Sequence, residues 1–218
     1  MAKKNKTHTW SEAELIDSFG LTKIIGIKPR LLQEWLNTVS IELNEIEQFT
    51  FNKILNEVII NISAWNEEDL KMNFIAFVLD LANLKTNEKF RTYFEKTVEA
   101  TVEGHYLKVK SDFMIAKGIL DMVKIPYFHF QEYKKDKDPN GDPTAQLIEA
   151  FLIAQEKNKN GKPMYGLYVI GRYWYFVVME GKNYCVSKGY DSTDKEDLLE
   201  IIAILRKFRV ILETVLMD

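Results

Sequence analysis

Apolar residues in the first part of the chain recur at helical spacing. Leu43, Ile46, Phe49, Ile54, Val58 and Ile62 follow one another at mostly three- and four-residue steps, which predicts a helix from Ile41 to Ile62. Before it, Ser11-Glu12-Ala13-Glu14 has the form of a capping box, and Gly20 is the expected stop. Pro29 suits the first turn of a second helix carrying Leu31, Leu32, Trp35 and Leu36. A further helix is predicted from about Glu67 to Leu84, capped by Asn66.

The period then changes. Residues 90–117 are rich in Phe, Tyr, Thr and Val, and Gly104 divides them into two strands. A third strand runs from Tyr127 to Lys134, followed by the polar loop Lys135-Asp136-Lys137-Asp138-Pro139-Asn140-Gly141. Asp142-Pro143 starts a helix over about 143–157, which Asn160-Gly161 ends. Strands are predicted over 163–170 and 173–179, joined at Gly171-Arg172, with a short one at Tyr184–Ser187. Thr193-Asp194-Lys195-Glu196 reads as the capping box of a long final helix.

This order of elements predicts an α/β fold, a mixed central β-sheet flanked by helices. Residues 1–64 are expected to form an added N-terminal helical region and 65–218 the α/β domain. Trp10, Phe19, Leu32, Trp35 and Leu36 are expected to pack onto that domain; the alternative is an exposed face by which a regulatory subunit binds its partner.

Composition narrows the function classes. The 218 residues are 46% hydrophobic and 28% charged, an ordinary globular balance. A net charge of −3 argues against a protein that coats nucleic acid non-specifically. Residues 1–104 carry 12 basic and 16 acidic side chains and residues 105–218 carry 17 and 16, an asymmetry too small to name a partner. The one cysteine, Cys185, has no second thiol to pair with, which fits a reducing compartment. The basic start lacks the apolar stretch of a signal peptide, and no apolar run reaches the roughly 20 residues of a membrane span. The expected location is the cytoplasm, with no membrane partner.

The candidate chemistry lies in Tyr127-Phe128-His129-Phe130-Gln131-Glu132-Tyr133-Lys134. Strand alternation places Phe128, Phe130, Glu132 and Lys134 on one face, aromatic end in the core and charged end at a cleft. A carboxylate there can hold a hard cation such as Mg²⁺, and an ammonium beside it can stabilise charge on a phosphate. Glu-x-Lys alone is a very weak signal, because a strand-end ion pair accounts for the tripeptide far more often, by roughly ten to one. Asp112, in Ser111-Asp112-Phe113, strengthens it: aspartate is disfavoured in strands, and an adjacent strand brings it beside Glu132 as a second oxygen ligand.

Asp112, then Gln131-Glu132-Tyr133-Lys134, then a helix bearing Gln146 resembles the pattern of the PD-(D/E)XK nuclease superfamily. The likeness extends over about residues 66–180 and is strongest to the N-terminal nuclease domain of type I restriction enzyme R subunits and their small bacterial relatives. It includes Asn66-Glu67-Glu68-Asp69-Leu70-Lys71, Ala145-Gln146-Leu147-Ile148, Tyr165-Gly166-Leu167 and Gly171-Arg172-Tyr173-Trp174-Tyr175-Phe176. The proline that often precedes the aspartate is absent, and there is no recognisable target-recognition module. The resemblance implies a restriction-endonuclease-like core and a restriction- or repair-like nuclease acting on nucleic acid, DNA before RNA. Asp112 and Glu132 would ligate Mg²⁺, with Mn²⁺ as a substitute. Lys134 would contact the scissile phosphate or the attacking water. Glu67, Glu68 and Gln146 would be accessory, and a homodimer is a common assembly in related folds.

Each accessory residue has a plainer account. Glu67, Glu68 and Asp69 complement a helix N-terminus, and Gln146 suits a solvated first turn. Tyr173, Trp174, Tyr175 and Phe176 read as a packed strand before a base-stacking platform. His105 and His129 lack metal-ligand spacing. The alternative to a nuclease is a catalytically silent fold of the same kind that binds nucleic acid or protein.

Overall fold

The structure, a computed structural model, describes residues 8–26, 29–136 and 142–217. Helix α1 (Glu12–Phe19) opens on the Ser11–Glu14 capping box and closes at Gly20 with φ 60°. A two-residue strand β1 (Thr22–Lys23) follows, then α2 (Arg30–Leu36) with Pro29 just ahead of its first turn. Helix α3 is Glu45–Asn61, starting later than its apolar periodicity predicts. Asn44 accepts hydrogen bonds from the amides of Ile46 and Glu47 and so sets the start. Its buried face is Phe51, Ile54 and Val58, whereas Ile46 and Phe49 are exposed. Asn66 caps α4 (Glu67–Leu70), which runs through one π-helical stretch, Lys71–Ile75, into α5 (Ala76–Leu81).

The second half carries β2 (Arg91–Val102), β3 (His105–Ile119), β4 (Met122–Lys134), α6 (Pro143–Asn158), β5 (Met164–Ile170), β6 (Tyr173–Glu180), β7 (Asn183–Val186), β8 (Tyr190–Asp191) and α7 (Lys195–Ile211). Asp194, rather than Thr193, caps α7, because the Thr193 hydroxyl donates to Asp191. The polar loop expected after Lys134 falls largely on 137–141, outside the described residues.

The strands form one mixed sheet in the order β1-β7-β6-β5-β4-β3-β2, with β8 beside β6. Pairs β4/β5 and β1/β7 are parallel and the rest antiparallel. Helices cover both faces. One core packs α2, α3, α5 and α7 on Phe113, Ile115, Tyr133, Leu167 and Phe176. Trp35 anchors this layer: it is fully buried, its ring meets Tyr165 and Phe176 edge-on, and its indole N–H donates to the Ile204 carbonyl. Phe19, Leu32 and Leu36 are likewise buried. The other core packs α1 and α6 on Val98, Leu107, Met114, Phe130 and Val177. Gly166 permits the close approach of α6, since a Cβ there would stand 2.6 Å from the Phe130 carbonyl oxygen and 2.7 Å from the Phe151 ring.

Strand alternation fails at two places, both bearing on the site. Phe128 belongs to the first core and Phe130 to the second, so the expectation that Phe128, Phe130, Glu132 and Lys134 share a face is corrected at Phe128. Ile115 pairs with His129 and Ala116 with Tyr127, so Phe128 is the extra residue of a β-bulge. The second failure is at the Glu95/Asp112 step. Tyr93 and Met114 share the α6 core with Val98, Ala100, Leu107 and Val109, so the inward positions change parity in both strands there. Glu95 takes a left-handed φ of 54°, which turns the backbone out of the pleat.

Beyond Phe113 and Gln131 the pairing of β3 with β4 stops: β3 stays with β2 and β4 with β5. This fork leaves backbone groups of both strands without a ladder partner. Three side chains satisfy some of them: Asp112 accepts from the Tyr133 amide, Ser111 donates to the Gln131 carbonyl, and Glu149 of α6 accepts from the Lys108 amide.

Glu149 is 6% exposed, and burial pushes its carboxyl up to about 7, with the Lys108 amide opposing. A carboxyl raised in the folded state adds stability in acid that is lost as pH rises from the ordinary carboxylate range through about 7. Glu149→Gln keeps the acceptor and removes the charge. It is expected to raise the melting temperature at pH 8 by roughly 2–8 °C and to leave it unchanged near pH 4, as thermal unfolding at the two pH values will show.

Candidate active site at the strand fork

Asp112, Glu132 and Lys134 converge at the fork. Asp112 is 8% exposed and both its oxygens are engaged. Oδ2 accepts from the Tyr133 amide at 2.8 Å, and Oδ1 accepts from the Lys71 ammonium at 2.8 Å. Glu132 is 3% exposed, and its Oε1 accepts from Lys134 Nζ at 2.7 Å. Among the described residues its other oxygen accepts no hydrogen bond. Two lysines thus meet two buried carboxylates across the gap between β3 and β4.

The accessory acids divide. Glu67 joins the lysines, with one oxygen 3.0 Å from Lys71 Nζ and the other 3.8 Å from Lys134 Nζ. Glu68 lies on the outer side, 3.2 Å from Lys71 Nζ. Gln146 is part-exposed on α6, and its side chain makes no hydrogen bond among the described residues, so the cluster assembles without it.

Two participants carried no assigned role in the sequence. Lys71 is the hub, within 3.2 Å of Glu67, Glu68, Glu95 and Asp112. It begins the π-helical stretch, a feature that re-aims side chains and recurs at functional sites. Its legible signal was its i+4 and i+3 spacing from Glu67 and Glu68. Glu95 reaches Lys71 only because its left-handed backbone breaks the pleat, and no local pattern announces that.

The electrostatics follow from burial and proximity. Burial raises the Asp112 carboxyl above its ordinary range, against the opposing pull of Lys71 and the Tyr133 amide. Burial, then the negative charge of Asp112, push Glu132 up to about 7, with Lys134 opposing. Burial alone would lower both lysines, but the carboxylates around each outweigh it and hold both above the ordinary value. Glu95, gripped by Lys110 and Lys71, is held down at about 2.

The other face of β4 carries a buried polar chain. Tyr133 donates its hydroxyl to Gln131 Oε1, and the Gln131 amide meets His129 Nε2 at 2.8 Å. Burial pushes the His129 imidazole down to about 3, so the ring is neutral. The His129 ring lies 4.4 Å from that of Phe208, so this histidine is part of the core. Trp174 is fully buried and faces Phe74, so it packs the core and offers no surface for stacking a base.

The donor set suits a hard divalent cation. Two buried carboxylates repel each other, and a cation between them would relieve the repulsion that raises Glu132. No group of three or more His, Cys, Asp or Glu side chains among the described residues is gathered to enclose an ion.

Lys71→Met removes the cation shared by four carboxylates. The expected cost in urea unfolding at pH 8 is about 2–4 kcal/mol, set by the buried Asp112 pair and discounted for the exposed partners. The difference from wild type should narrow toward pH 3, as Asp112, whose carboxyl is already raised, becomes protonated in both proteins.

No protein-family model and no curated protein matches the chain. Among the described residues no helix is long and apolar enough to cross a membrane. Among solved structures, a chain of the DrdV–DNA complex determined by cryo-electron microscopy is similar at 17% identity and a TM-score of 0.38, over 74% of this chain and 14% of that one.

Proposed function

We propose that this protein is a divalent-metal-dependent nuclease that hydrolyses phosphodiester bonds of nucleic acid, with DNA preferred over RNA as the PD-(D/E)XK resemblance implies. The observation that carries the reading is the meeting of Asp112, Glu132 and Lys134 at the fork, two buried carboxylates with an ammonium 2.7 Å from one of them. Residues far apart in the chain thereby supply the two kinds of group this hydrolysis needs.

Asp112 and Glu132 would hold Mg²⁺ or Mn²⁺. Such an ion supplies Lewis acidity toward a phosphate oxygen and lowers the pKa of bound water. The chain's own residues do the rest. Lys134, held beside Glu132, faces the charge that builds on the phosphate. Glu67 lies between the two lysines and orients both. The Tyr133 amide fixes Asp112 through Oδ2, so the carboxylate's direction is set by the backbone of the catalytic strand itself.

A second reading has its own support. The charged atoms of Asp112 and Lys134 already have partners within the protein, as they would in a silent fold that uses the cluster for stability and binds nucleic acid or protein. Activity separates the two.

Cleavage of single- and double-stranded DNA and RNA is expected with Mg²⁺ or Mn²⁺ and to fall at least 100-fold in Asp112→Ala or Lys134→Ala, the scale of losing one electrostatic stabiliser. Metal-dependent cleavage that survives in the purified double variant sinks the assignment. Mg²⁺ is also expected to raise the wild-type melting temperature, since a ligand bound by the folded state alone stabilises it. An equal rise in an Asp112→Ala, Glu132→Ala variant would put the ion elsewhere.

A further inference from the structure

Beside the cluster opens a pocket of about 320 Å³ lined by Glu68, Lys71, Met72, Ile75, Ala76, Phe94, Glu95, Asp112 and Tyr133. Its volume falls at the lower end of the range for small-molecule sites, roughly 300–1,000 Å³. We propose that it receives one unpaired nucleobase of the substrate, next to the bond being cut. The inference rests on the nuclease reading and narrows it to substrates with an unstacked nucleotide.

Three features select a base over other occupants. The first is continuity: Lys71 and Asp112 belong to the charged cluster and also line the pocket. A ligand with its phosphate at the cluster therefore has its neighbouring group at the pocket mouth. The second is the wall. Met72, Ile75, Ala76 and Phe94 offer apolar surface, and the Phe94 ring is 59% exposed although large and aromatic. The Phe94 ring meets that of Phe113, its cross-strand partner, at a steep angle with centroids 5.2 Å apart, and this contact steadies the ring at the opening. Aromatic rings of this kind stack on bases whatever their sequence. The third is the rim. Glu68 and Glu95 would repel a phosphate, but a carboxylate accepts hydrogen bonds from the N–H groups on a base edge. A flat, uncharged ring with N–H donors, tied to a phosphate, is a nucleobase. In a duplex that ring is stacked and paired, so entry requires a single strand, a frayed end or an extruded nucleotide.

The test measures equilibrium binding of a labelled single-stranded DNA 12-mer and of the same sequence as a duplex, in Ca²⁺. Wild type, Phe94→Ala and Phe94→Trp are compared, with melting temperatures as a fold control. The single strand is expected to bind at least tenfold tighter than the duplex. Phe94→Ala should weaken the single strand by roughly 5- to 100-fold and leave the duplex unchanged, and Phe94→Trp should restore it. Equal binding of strand and duplex, no binding of either, or a Phe94→Ala effect that is absent or the same on both overturns the pocket. Cleavage of the same DNAs in Mg²⁺ keeps the two claims apart. Phe94-dependent strand binding without hydrolysis retains the pocket and removes the nuclease reading; hydrolysis of both DNAs, unaffected by Phe94→Ala, does the reverse.

Discussion

The structure turns on the fork between β3 and β4. Two strands that pair from Ile119 back to Phe113 separate at Gln131, one continuing with β2 and the other with β5. Buried backbone amides and carbonyls at such a split need partners, and leaving them unpaired costs as much as a lost hydrogen bond each. Asp112 and Ser111 of β3 and Glu149 of α6 answer that need. The wedge therefore brings carboxylates into a region from which burial would otherwise exclude them. The features that hold the split open also gather the charged side chains around it.

Charge then organises around the split. Five carboxylates, Glu67, Glu68, Glu95, Asp112 and Glu132, face Lys71, Lys110 and Lys134. The acids outnumber the cations, five to three. Burial and the negative charge of Asp112 give Glu132 its raised pKa. The apolar pocket beside the cluster shares Lys71 and Asp112 with it, so a charged subsite and an apolar subsite adjoin at one opening.

The helical layers serve this geometry at a distance. α6 lies close against β4 and β5 because Gly166 leaves room for it, and it delivers Glu149 to the open edge of β3. The α4–α5 run crosses the other side, and its π-helical stretch starts at Lys71, where the chain must turn an ammonium toward Asp112. Trp35 ties the short α2 onto α7 and the sheet, so α2 and α3 share the core that lies under Tyr133.

Local sequence determined a good part of this. Caps at Ser11, Asn44, Asn66 and Asp142 mark helix starts because their side chains bond amides two or three residues away. Period-two and period-three-to-four patterns named the sheet and its helices, and the meeting of Asp112, Glu132 and Lys134 on neighbouring strands was legible from strand order and residue type. Where alternation alone was used it failed at Phe128, since a bulge depends on the partner strand's register and leaves no mark on the bulged residue. Asn44 likewise overrode the periodicity that placed a helix start at Ile41. Lys71 and Glu95 became part of the site only in three dimensions. Their carboxylate and ammonium partners lie up to 41 residues away, and it takes a left-handed turn in one strand and a π-helical stretch in a helix to bring them within hydrogen-bond range. Short-range interactions are written in neighbouring residues. The fork, its charges and its pocket exist only where distant segments meet, because burial and Coulomb energy depend on distance in space rather than along the chain.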